Sequence, residues 1–395
     1  MEIHMLYEIQ LEGKKGQNAC TTHTIELFEK LKKIENEVNL FVPKPKDTSL
    51  YKQLGILYLP LNIPLIGGAS YQLVLLFYYL LYQIKHRKPD VIHSRISLFT
   101  ISPMILSKLI RVPYIVEING LLIGEQKLSN TSRLIIQISK VIERFNYKHA
   151  TKLVAVTQGI KEGIMELYNI PDEKIVVIEN GANTDLFKPM DISKARKGLK
   201  FDQDANYICF VGHLVPWQGV EYLIQSAPLI LKEIANLRFL IVGDGPKKKE
   251  LVELAEKTGV SDDLIFTGAV PYEEVPKYIN ASDVCVAPFI RARNERIGLS
   301  PLKIYEYLAC EKSIVSSRIP NLEFIEEQNA GILVEPENPE ELAKAIIKLL
   351  KDEKLREEMG KNGREYVVKN HSWESVARRV VEACESTISI KNKSN

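Results

Sequence analysis

Short apolar runs alternate with helical patterns along most of the 395-residue chain, and this alternation constrains its fold most strongly. Strands that alternate with helices predict a parallel sheet covered by helices on both faces. In the first half, the predicted strands are Val38–Val42, Val91–His93, Tyr114–Ile118, Leu153–Val156 and Ile175–Ile178. The predicted helices of this half are Thr22–Lys33, Tyr71–Lys85 and Thr131–Lys148.

The same alternation starts again near residue 207. The predicted strands of the second half are Tyr207–Val211, Arg238–Val242, Leu264–Thr267, Val284–Ala287, Ser313–Ser316 and Gly331–Val334, and Val220–Ile234 is a predicted helix. Between the halves, Asn183–Gln203 contains Pro189 and several charges with little periodicity, and we interpret it as a linker. The length suits two domains. We therefore predict two Rossmann-like α/β domains, over residues 1–185 and 190–370.

The composition is that of an ordinary soluble protein and narrows the function only slightly. Hydrophobic residues make up 45% of the chain and charged residues 26%. The net charge of +2 gives no reason to expect a nucleic-acid partner. The five cysteines are scattered without C-x-x-C spacing, which favours buried free thiols over disulfides or a zinc site. Met1–Gln10 lacks the pattern of a secretory signal, so we expect a cytoplasmic protein.

Tyr71–Ile84 is the most lipid-like segment of the sequence. It is too short to span a bilayer, which takes about 20 residues. Its end is strongly basic, with Lys85, His86, Arg87 and Lys88 in succession. Two interpretations stay open, namely a helix packed in the protein and a helix that rests on a membrane surface.

Glycines follow several predicted strands of the second half. Gly212, Gly243 and Gly268 come directly after strands, and Gly245 lies close behind the second of them. Open parallel sheets bind ligands beyond the carboxyl ends of their strands, and glycine lets the backbone approach a ligand closely. The pattern therefore indicates a binding edge, although ordinary turns also explain it.

The segment Arg291–Cys310 carries the clearest chemical pattern. Ser300 is predicted to cap a helix that begins at Pro301, whose free N–H groups at Leu302 and Lys303 make an anion site. Glu306 lies one turn further on, where a carboxylate can accept hydrogen bonds from vicinal hydroxyls. Together these features predict a binding site for a nucleoside diphosphate. The alternative interpretation is a capped helix on the surface. Three arginines precede this helix and either neutralise a diphosphate or form a solvated loop: Arg291, Arg293 and Arg296.

These segments, in their order and spacing, resemble glycosyltransferase family 4, a family of retaining enzymes with the two-domain GT-B fold. The resemblance covers nearly the whole chain and is carried by Lys174–Pro189, Phe210–Ile224, Ile241–Pro246, Ile265–Val270, Ala281–Val284 and Ser300–Cys310. It implies two Rossmann-like domains that face each other across a cleft. It also implies a nucleotide sugar on the C-terminal domain, an acceptor on the N-terminal domain, and a last helix, 372–388, that packs back on the first domain.

The resemblance implies a set of donor-binding residues in the second half and shows where this sequence departs from the family. The implied donor residues are Gly212, His213, Gln218, Gly243, Gly245, Gly268, Val270, Arg293, Ser300, Leu302, Lys303 and Glu306. Family members usually carry basic residues where this chain has His213 and Gln218, so we expect Lys303 and the arginine cluster to replace them. A glutamate of the family pattern falls at Gly298, and Glu295 is the expected substitute near the transferred sugar.

In the first half, the resemblance places a glycine-rich loop after the first strand and a histidine near the reacting sugar. The loop residues are Gly13, Gly16 and Gln17, with Gly16 near the donor and the other two near the acceptor. His93 lies at the carboxyl end of a predicted strand and is a candidate for proton handling, although a core histidine with satisfied hydrogen bonds fits the same pattern. Glu117 and Asn119 end the next strand and are expected to contact the acceptor.

The resulting hypothesis is a retaining glycosyltransferase that uses a nucleotide sugar, with His93, Lys303, Glu306 and Glu295 as candidate catalytic residues. Helix N-termini and basic side chains can stabilise a diphosphate without a metal, so we expect no metal and no cofactor. The expected acceptor is a carbohydrate or a lipid-linked saccharide, reached at the inner face of the membrane. Two alternatives stay open: another enzyme on the same fold, such as an epimerase or a phosphorylase, and a non-catalytic partner that binds a nucleotide sugar or another transferase.

Overall fold

The computed structural model describes residues 1–8, 19–34, 37–44, 49–59, 67–121 and 133–394. Within these ranges the chain forms two compact units. The first contains the described residues up to Glu179 except Ala19, together with the chain from Glu374 onward, and the second contains Ala19 and Asn180–Trp373.

The first unit is built on a seven-stranded parallel sheet with the order β3-β2-β1-β4-β5-β6-β7. Its strands are β1 (Glu2–Leu6), β2 (Glu37–Pro43), β3 (Leu57–Leu59), β4 (Val91–Arg95), β5 (Tyr114–Ile118), β6 (Lys152–Ala155) and β7 (Ile175–Val177). The described helices are α1 (Ala19–Ile34), α2 (Ser49–Leu54), α3 (Gly67–Lys85), α4 (Ser102–Ile110), α5 (Arg133–His149) and α6 (Gln158–Tyr168). Every residue of β1 and β5 is buried, as expected for central strands covered on both faces.

The five strands predicted in this half are confirmed, and two more occur. The sequence analysis did not list β1 or β3 among the strands. β3 is only three residues long, which is too short for a periodic signal. β1 lies in the centre of the sheet, and its pairing with β4 places Met5 beside His93. Residues that follow β1 and β4 therefore meet at one edge of the sheet.

The second unit contains a six-stranded parallel sheet with the order β10-β9-β8-β11-β12-β13. The strands are β8 (Asn206–Val211), β9 (Leu237–Val242), β10 (Leu264–Gly268), β11 (Val284–Ala287), β12 (Ile314–Ser317) and β13 (Gly331–Val334), which confirms all six predicted strands. The helices are α7 (Ile192–Leu199), α8 (Val220–Leu231), α9 (Lys248–Thr258), α10 (Val275–Ala281), α11 (Arg291–Asn294), α12 (Leu302–Ala309), α13 (Phe324–Glu327), α14 (Pro339–Lys351) and α15 (Glu353–Asn370).

Two hydrophobic cores cover the two faces of this second sheet. Along β8, Tyr207 and Cys209 point into one core, and Ile208 and Phe210 point into the other. This alternation follows from the period of two along a strand. The carboxyl end of β8 is therefore held firmly from both sides.

The interpretation of Asn183–Gln203 as a linker is wrong. The segment contains α7 and belongs to the second unit. Arg196 of this helix is buried, pairs with Asp283 at 2.8 Å and donates to the Ala281 carbonyl at 3.0 Å. In the sequence Arg196 looks like a solvated charge, because its partner lies far away along the chain. In the structure it anchors α7 to the sheet.

The chain enters and leaves the second unit at neighbouring points. The Ala182 N–H donates to the His371 carbonyl at 2.8 Å, and the Trp373 N–H donates to the Ala182 carbonyl at 3.0 Å. The last helix, α16 (Trp373–Ser394), then belongs to the first unit from Glu374 onward.

All five cysteines are free, which confirms the prediction of unpaired thiols. Cys20 is half-buried and the other four are buried. None of the described helices combines the length and the apolar character needed to cross a membrane.

Candidate functional site

Loops meet at the carboxyl ends of β8, β9 and β10, where the glycine pattern indicates a binding edge. The Gly212 N–H donates to the Val242 carbonyl at 2.9 Å, and the Gly243 N–H donates to the Gly268 carbonyl at 3.0 Å. A Cβ atom on Gly243 would lie 2.0 Å from the Gly212 oxygen. The loops reach this distance only because Gly243 has no side chain.

Lys303 brings a buried cation to this edge. Its Nζ donates to Gln218 Oε1 at 2.6 Å and lies 3.9 Å from the centroid of the Phe210 ring. The Phe289 ring is 5.5 Å away. A Cβ atom on Gly212 would lie 2.5 Å from Nζ, so the glycine leaves the space that the ammonium group occupies. One amide oxygen and two aromatic rings therefore surround the cation.

Burial lowers the pKa of Lys303 to about 7, although the nearby Glu306 favours the charged form. The residue is only 8% exposed, and Glu306, one helical turn away on α12, is also buried. A lysine with this pKa exchanges its proton near neutral pH. An anionic ligand at Nζ would hold the lysine in its charged form.

The start of α12 differs from the predicted start by one residue. The helix begins at Leu302, Pro301 is the capping residue, and no side chain caps the helix. The prediction that Ser300 is the N-cap is wrong. Its Oγ instead accepts from the Asn180 N–H at 2.8 Å, while the Asn180 amide donates to the Ser300 carbonyl at 2.7 Å. The N–H groups of the first turn of α12 receive no side-chain cap and suit an anion.

Tyr307 couples α12 to the end of β8. Its buried hydroxyl accepts from the Val211 N–H at 2.7 Å, directly before Gly212. The helix that carries Lys303 and Glu306 is therefore fixed relative to the first glycine loop.

The remaining donor residues predicted near these loops lie at the same edge. A Cβ atom on Gly245 would lie 2.5 Å from the Leu214 oxygen and 2.8 Å from Cδ2 of His213. His213 is exposed, and Val270, just beyond β10, is half-buried. The structure thus brings these loop residues together with Lys303 at the carboxyl edge of the sheet.

Glu295 lies in an exposed ion-pair network. It pairs with Arg291 at 3.1 Å, and Arg291 also pairs with Glu335 at 2.9 Å. All three side chains are between 45% and 60% exposed, so these contacts add little stability. The side chain of Arg293 lies outside the described part of the structure.

Gly298 has a backbone that excludes the family's glutamate at this position. Its φ of +67° lies in the left-handed region, and a Cβ atom would lie 2.8 Å from the Pro320 oxygen. The next N–H, of Leu299, donates to the same oxygen at 3.1 Å. A side chain here would require a different loop conformation.

In the first unit, His93 lies fully buried within β4, which continues two residues beyond it to Arg95. Its Nδ1 is 3.1 Å from the hydroxyl of Tyr7, and the two rings stack with centroids 5.8 Å apart. Its Nε2 has no hydrogen-bond partner within the described residues and lies 3.9 Å from Glu117 Oε2. Burial lowers the pKa of His93, against the effect of Glu117. Near neutral pH this histidine is neutral and has one free ring nitrogen.

Glu117 is a buried carboxylate surrounded by polar groups of three elements. Asn119 donates to Oε1 at 2.5 Å, and Nε2 of His23, on α1, lies 3.5 Å from the same oxygen. Burial alone would raise the pKa of Glu117, but His23, Arg95, His93 and Asn119 together bring it below its ordinary value. Glu117 is therefore ionised. Burial lowers the pKa of His23 to about 4, so this imidazole is neutral at the same pH.

The sequence analysis missed three members of this cluster. Tyr7 directly follows β1, Arg95 is the last residue of β4, and His23 lies near the start of α1. Arg95 Nη1 is 3.3 Å from His23 Nδ1, which links β4 to α1. The position at the carboxyl end of a strand was an available signal for Tyr7 and Arg95. The role of His23 depends on how α1 packs, which local sequence does not show.

Three predicted residues, Gly13, Gly16 and Gln17, lie outside the described residues. Across the described ranges, no three His, Cys, Asp or Glu side chains are arranged to hold a metal ion.

Comparison with known families matches both halves of the chain. Residues 191–366 match the family model described as Glycosyl transferases group 1, and residues 20–186 match Glycosyltransferase Family 4. An uncharacterised glycosyltransferase of Methanocaldococcus jannaschii is 30% identical over 305 residues, 74% of each chain. The alpha-D-kanosaminyltransferase of Streptomyces kanamyceticus is 27% identical over 265 residues, which cover 66% of this chain and 67% of the relative.

Solved structures with the same fold include sucrose-phosphate synthase from Thermosynechococcus elongatus. Its TM-score is 0.78 at 20% identity, over 99% of this chain and 100% of the other. The Anabaena protein HepE, solved in complex with UDP, has a TM-score of 0.75 at 19% identity, over 98% and 100%. These matches, together with the two parallel sheets, confirm the predicted α/β fold class of the GT-B type.

Proposed function

The chain belongs to glycosyltransferase family 4, and from this premise we propose that it is a retaining enzyme that transfers a sugar from a nucleoside diphosphate to a hydroxyl acceptor. The observation that carries the proposal is the buried ammonium group of Lys303 beside the glycine loops of the second sheet. We assign the donor to the second unit, within residues 190–370, and the acceptor to the first, within residues 1–185.

The diphosphate of the donor lies, in this proposal, between Lys303 and the start of α12. The uncapped first turn supplies N–H groups at Leu302 and Lys303, and the helix dipole favours negative charge there. Lys303 replaces the basic residues that the family usually carries at the positions of His213 and Gln218. The contact of 2.6 Å between Lys303 and Gln218 supports this exchange, because it brings the lysine to one of those positions.

The ribose and base of the donor lie further along the same edge. Glu306, one turn beyond Lys303, is the candidate residue that accepts hydrogen bonds from the ribose hydroxyls of the donor. The loop around Gly268 and Val270 is the candidate site for the base. The glycine contacts between these loops support this placement, since they leave a backbone surface without side chains.

The transfer step breaks the bond between the anomeric carbon and the diphosphate oxygen. The acceptor oxygen bonds to that carbon on the same face, and the hydroxyl proton leaves with the diphosphate. Stabilising the negative charge on the departing diphosphate lowers the barrier, which is the role of Lys303 and the α12 terminus. We propose that no cofactor or metal is needed, and EDTA should leave the rate unchanged.

The acceptor side rests on the cluster around His93 and Glu117. The free Nε2 of His93 is the atom that can accept or donate a hydrogen bond to the reacting groups. Glu117, with Asn119, is the proposed binding group for the hydroxyls of the acceptor. The acceptor class we propose is a carbohydrate or a lipid-linked saccharide, and the place of reaction is the cytoplasm, at the inner face of the membrane.

Thermal unfolding with a panel of nucleotides tests the proposal. The panel contains UDP, GDP, ADP and their common sugar conjugates, and a ligand at 100 times its Kd adds about 2.7 kcal/mol to the free energy of unfolding. We expect one base to stabilise the protein and Glu306→Ala to remove the effect. Lys249→Ala is the matched control, because its side chain is 89% exposed on α9. Equal stabilisation of wild type and Glu306→Ala would refute the donor site.

A non-catalytic partner is the second candidate, and the backbone of Gly298 favours it. The family glutamate is missing there, and the loop conformation excludes it. Measurement of donor hydrolysis separates the candidates. Binding of the nucleotide sugar without any turnover, with or without acceptor sugars, would support the partner, whereas slow hydrolysis would support the enzyme.

A further inference from the structure

Helix α3 exposes a row of large apolar side chains on one face. The row has helical spacing, and its members are between 48% and 78% exposed: Leu73, Phe77, Leu81 and Ile84. No charged residue occurs from Gly67 to Ile84. The outward face of α3 is therefore apolar over nearly its whole length, which is rare on a protein surrounded only by water.

Helix α5 exposes a second row of the same kind. Its members are between 41% and 71% exposed: Leu134, Ile138, Val141 and Phe145. The exposed cations that alternate with this row are Lys140, Arg144 and Lys148. The outward face of α5 therefore combines apolar and basic side chains, while its one acidic residue, Glu143, is buried.

The two rows lie on the same side of the first sheet. Helices α3, α4 and α5 connect β3 to β4, β4 to β5 and β5 to β6, and each connection steps in the same direction across the sheet. Right-handed crossovers in one direction place their helices on one face. Helix α3 packs against α4, and Lys108 of α4 lies 5.7 Å over the Phe145 ring of α5. We call the exposed residues of these helices and of the turns that follow α3 and α4 the α3–α5 surface.

The charges of this surface have a single sign. Within 67–121 and 133–149, the acidic residues are Asp90, Glu117 and Glu143. The two glutamates are buried, and Asp90 is half-buried and accepts from the Glu2 N–H at 2.8 Å. The exposed lysines and arginines of the surface are Lys85, Arg87, Lys88, Lys108, Arg111, Lys140, Arg144 and Lys148.

We propose that the α3–α5 surface docks on a lipid bilayer that carries anionic headgroups, with α3 and α5 lying flat in the interface. The apolar rows enter the boundary between headgroups and acyl chains, and the basic side chains contact the headgroups. A second copy of the chain is a poorer occupant, because symmetric pairing would bring like charges together. The inference deepens the proposed location at the inner face of the membrane, and it does not depend on the proposed transfer reaction.

Flotation of the full chain with vesicles tests this inference. One set contains phosphatidylcholine alone, and the other contains three parts phosphatidylcholine and one part phosphatidylglycerol. We expect binding to the anionic vesicles at low salt and a marked loss of binding as salt rises, because surface charges are screened. Equal binding to both sets, or no binding to either, would overturn the proposal.

Two variants separate the apolar and the basic contributions. Phe77→Glu with Val141→Glu should abolish flotation, since both rows then carry a charge into the interface. Lys140→Ala with Arg144→Ala and Lys148→Ala should weaken binding by about fivefold per side chain, or on the order of a hundredfold together. Val368→Glu is the matched control, because Val368 is also exposed (43%) but lies on α15 of the second unit.

Two further measurements make the outcome decisive. Stabilisation by the nucleotide should be the same in all variants, which shows that they fold and keeps this test separate from that of the donor site. Analytical ultracentrifugation without vesicles should show the full chain as a monomer. A dimer that Phe77→Glu with Val141→Glu converts to monomer would assign the surface to a second copy and overturn the membrane proposal.

Discussion

The two units each bury a charged group at the carboxyl edge of a parallel sheet, but the two charges have opposite signs and different partners. Lys303, in the second unit, is in contact with one amide oxygen and lies near two aromatic rings. Glu117, in the first, lies among Asn119, His23 and Arg95.

The pKa shifts show what this difference means. Burial lowers the pKa of Lys303 to about 7, so the site disfavours its own positive charge. Glu117 is also buried, yet its neighbours bring its pKa below the ordinary value. The charge of Glu117 is therefore stabilised by its neighbours within the protein, whereas burial of Lys303 outweighs the stabilisation that its neighbours give to its charge. This contrast supports placing the diphosphate in the second unit.

Replacement of the buried cation should have the largest effect. Lys303→Met should lower the transfer rate by about 10²–10³, because the departing diphosphate loses a preorganised charge. The free energy of unfolding should change by less than about 1.5 kcal/mol, since methionine fills a similar volume. Initial rates and thermal unfolding measure both, with Lys249→Met as the control. A transfer rate within threefold of wild type would show that Lys303 does not stabilise the departing diphosphate, and the contrast between the two units would then have no role in the reaction.

Replacement of the buried anion should affect the acceptor side alone. Glu117→Gln should slow transfer by up to about a hundredfold, because the acceptor loses its orientation. The free energy of unfolding should fall by about 1–3 kcal/mol, since His23 and Asn119 lose a charged partner. Nucleotide-induced stabilisation should stay the same. Loss of that stabilisation would show that the two sites are not independent.

The pH dependence of donor affinity should follow Lys303. A bound diphosphate favours the ammonium form, so the complex holds more protons than the free protein above pH 7. The affinity for a nucleotide sugar should therefore fall by up to tenfold per pH unit between pH 7 and 9. The pKa of His23, about 4, keeps it neutral in this range.

Calorimetry in two buffers with different ionisation enthalpies measures the proton uptake directly. Lys303→Met should show no uptake and a flat affinity over this range. A wild-type profile that is equally flat would mean that the lysine does not contact the diphosphate.

Gly212→Ala should give the smallest effect. The glycine has a φ of +153°, and the new Cβ would lie 2.5 Å from the Lys303 Nζ. We expect a loss of about 1–2 kcal/mol of stability and a several-fold weaker donor affinity, because the ammonium group must move. Gly198→Ala on α7 is the control. Nothing lies within 4 Å of its Cβ position, so it should raise stability by about 0.5–1 kcal/mol.

The sequence predicted most strands and the sheet edge at which the candidate donor residues lie, because both depend on local patterns. Val284–Ala287 and Gly331–Val334 are confirmed without any change of bounds. Lys303 was selected as a candidate because the approximate start of a helix, and the charged residues near it, can be recognised in the sequence.

The errors and omissions share one cause, which is contact between residues distant along the chain. Ser300 does not cap α12, because its hydroxyl is used by Asn180. Arg196 does not belong to a linker, because it pairs with Asp283. His23, on α1, belongs to the Glu117 cluster through its contact of 3.5 Å with that carboxylate, 94 residues away along the chain (117 − 23). Periodicity and spacing describe only neighbouring residues, so they do not predict these distant partners.

The neighbouring entry and exit points of the second unit, at Ala182 and Trp373, have a consequence for biosynthesis. Residues 180–373 form an insertion within the first unit, because the chain returns to that unit with α16. The strands of the second unit are therefore all synthesised before the first unit receives α16. The unit that is begun first is completed only after the other, and a chain truncated near residue 373 keeps the strands of the second unit while leaving the first unit without α16.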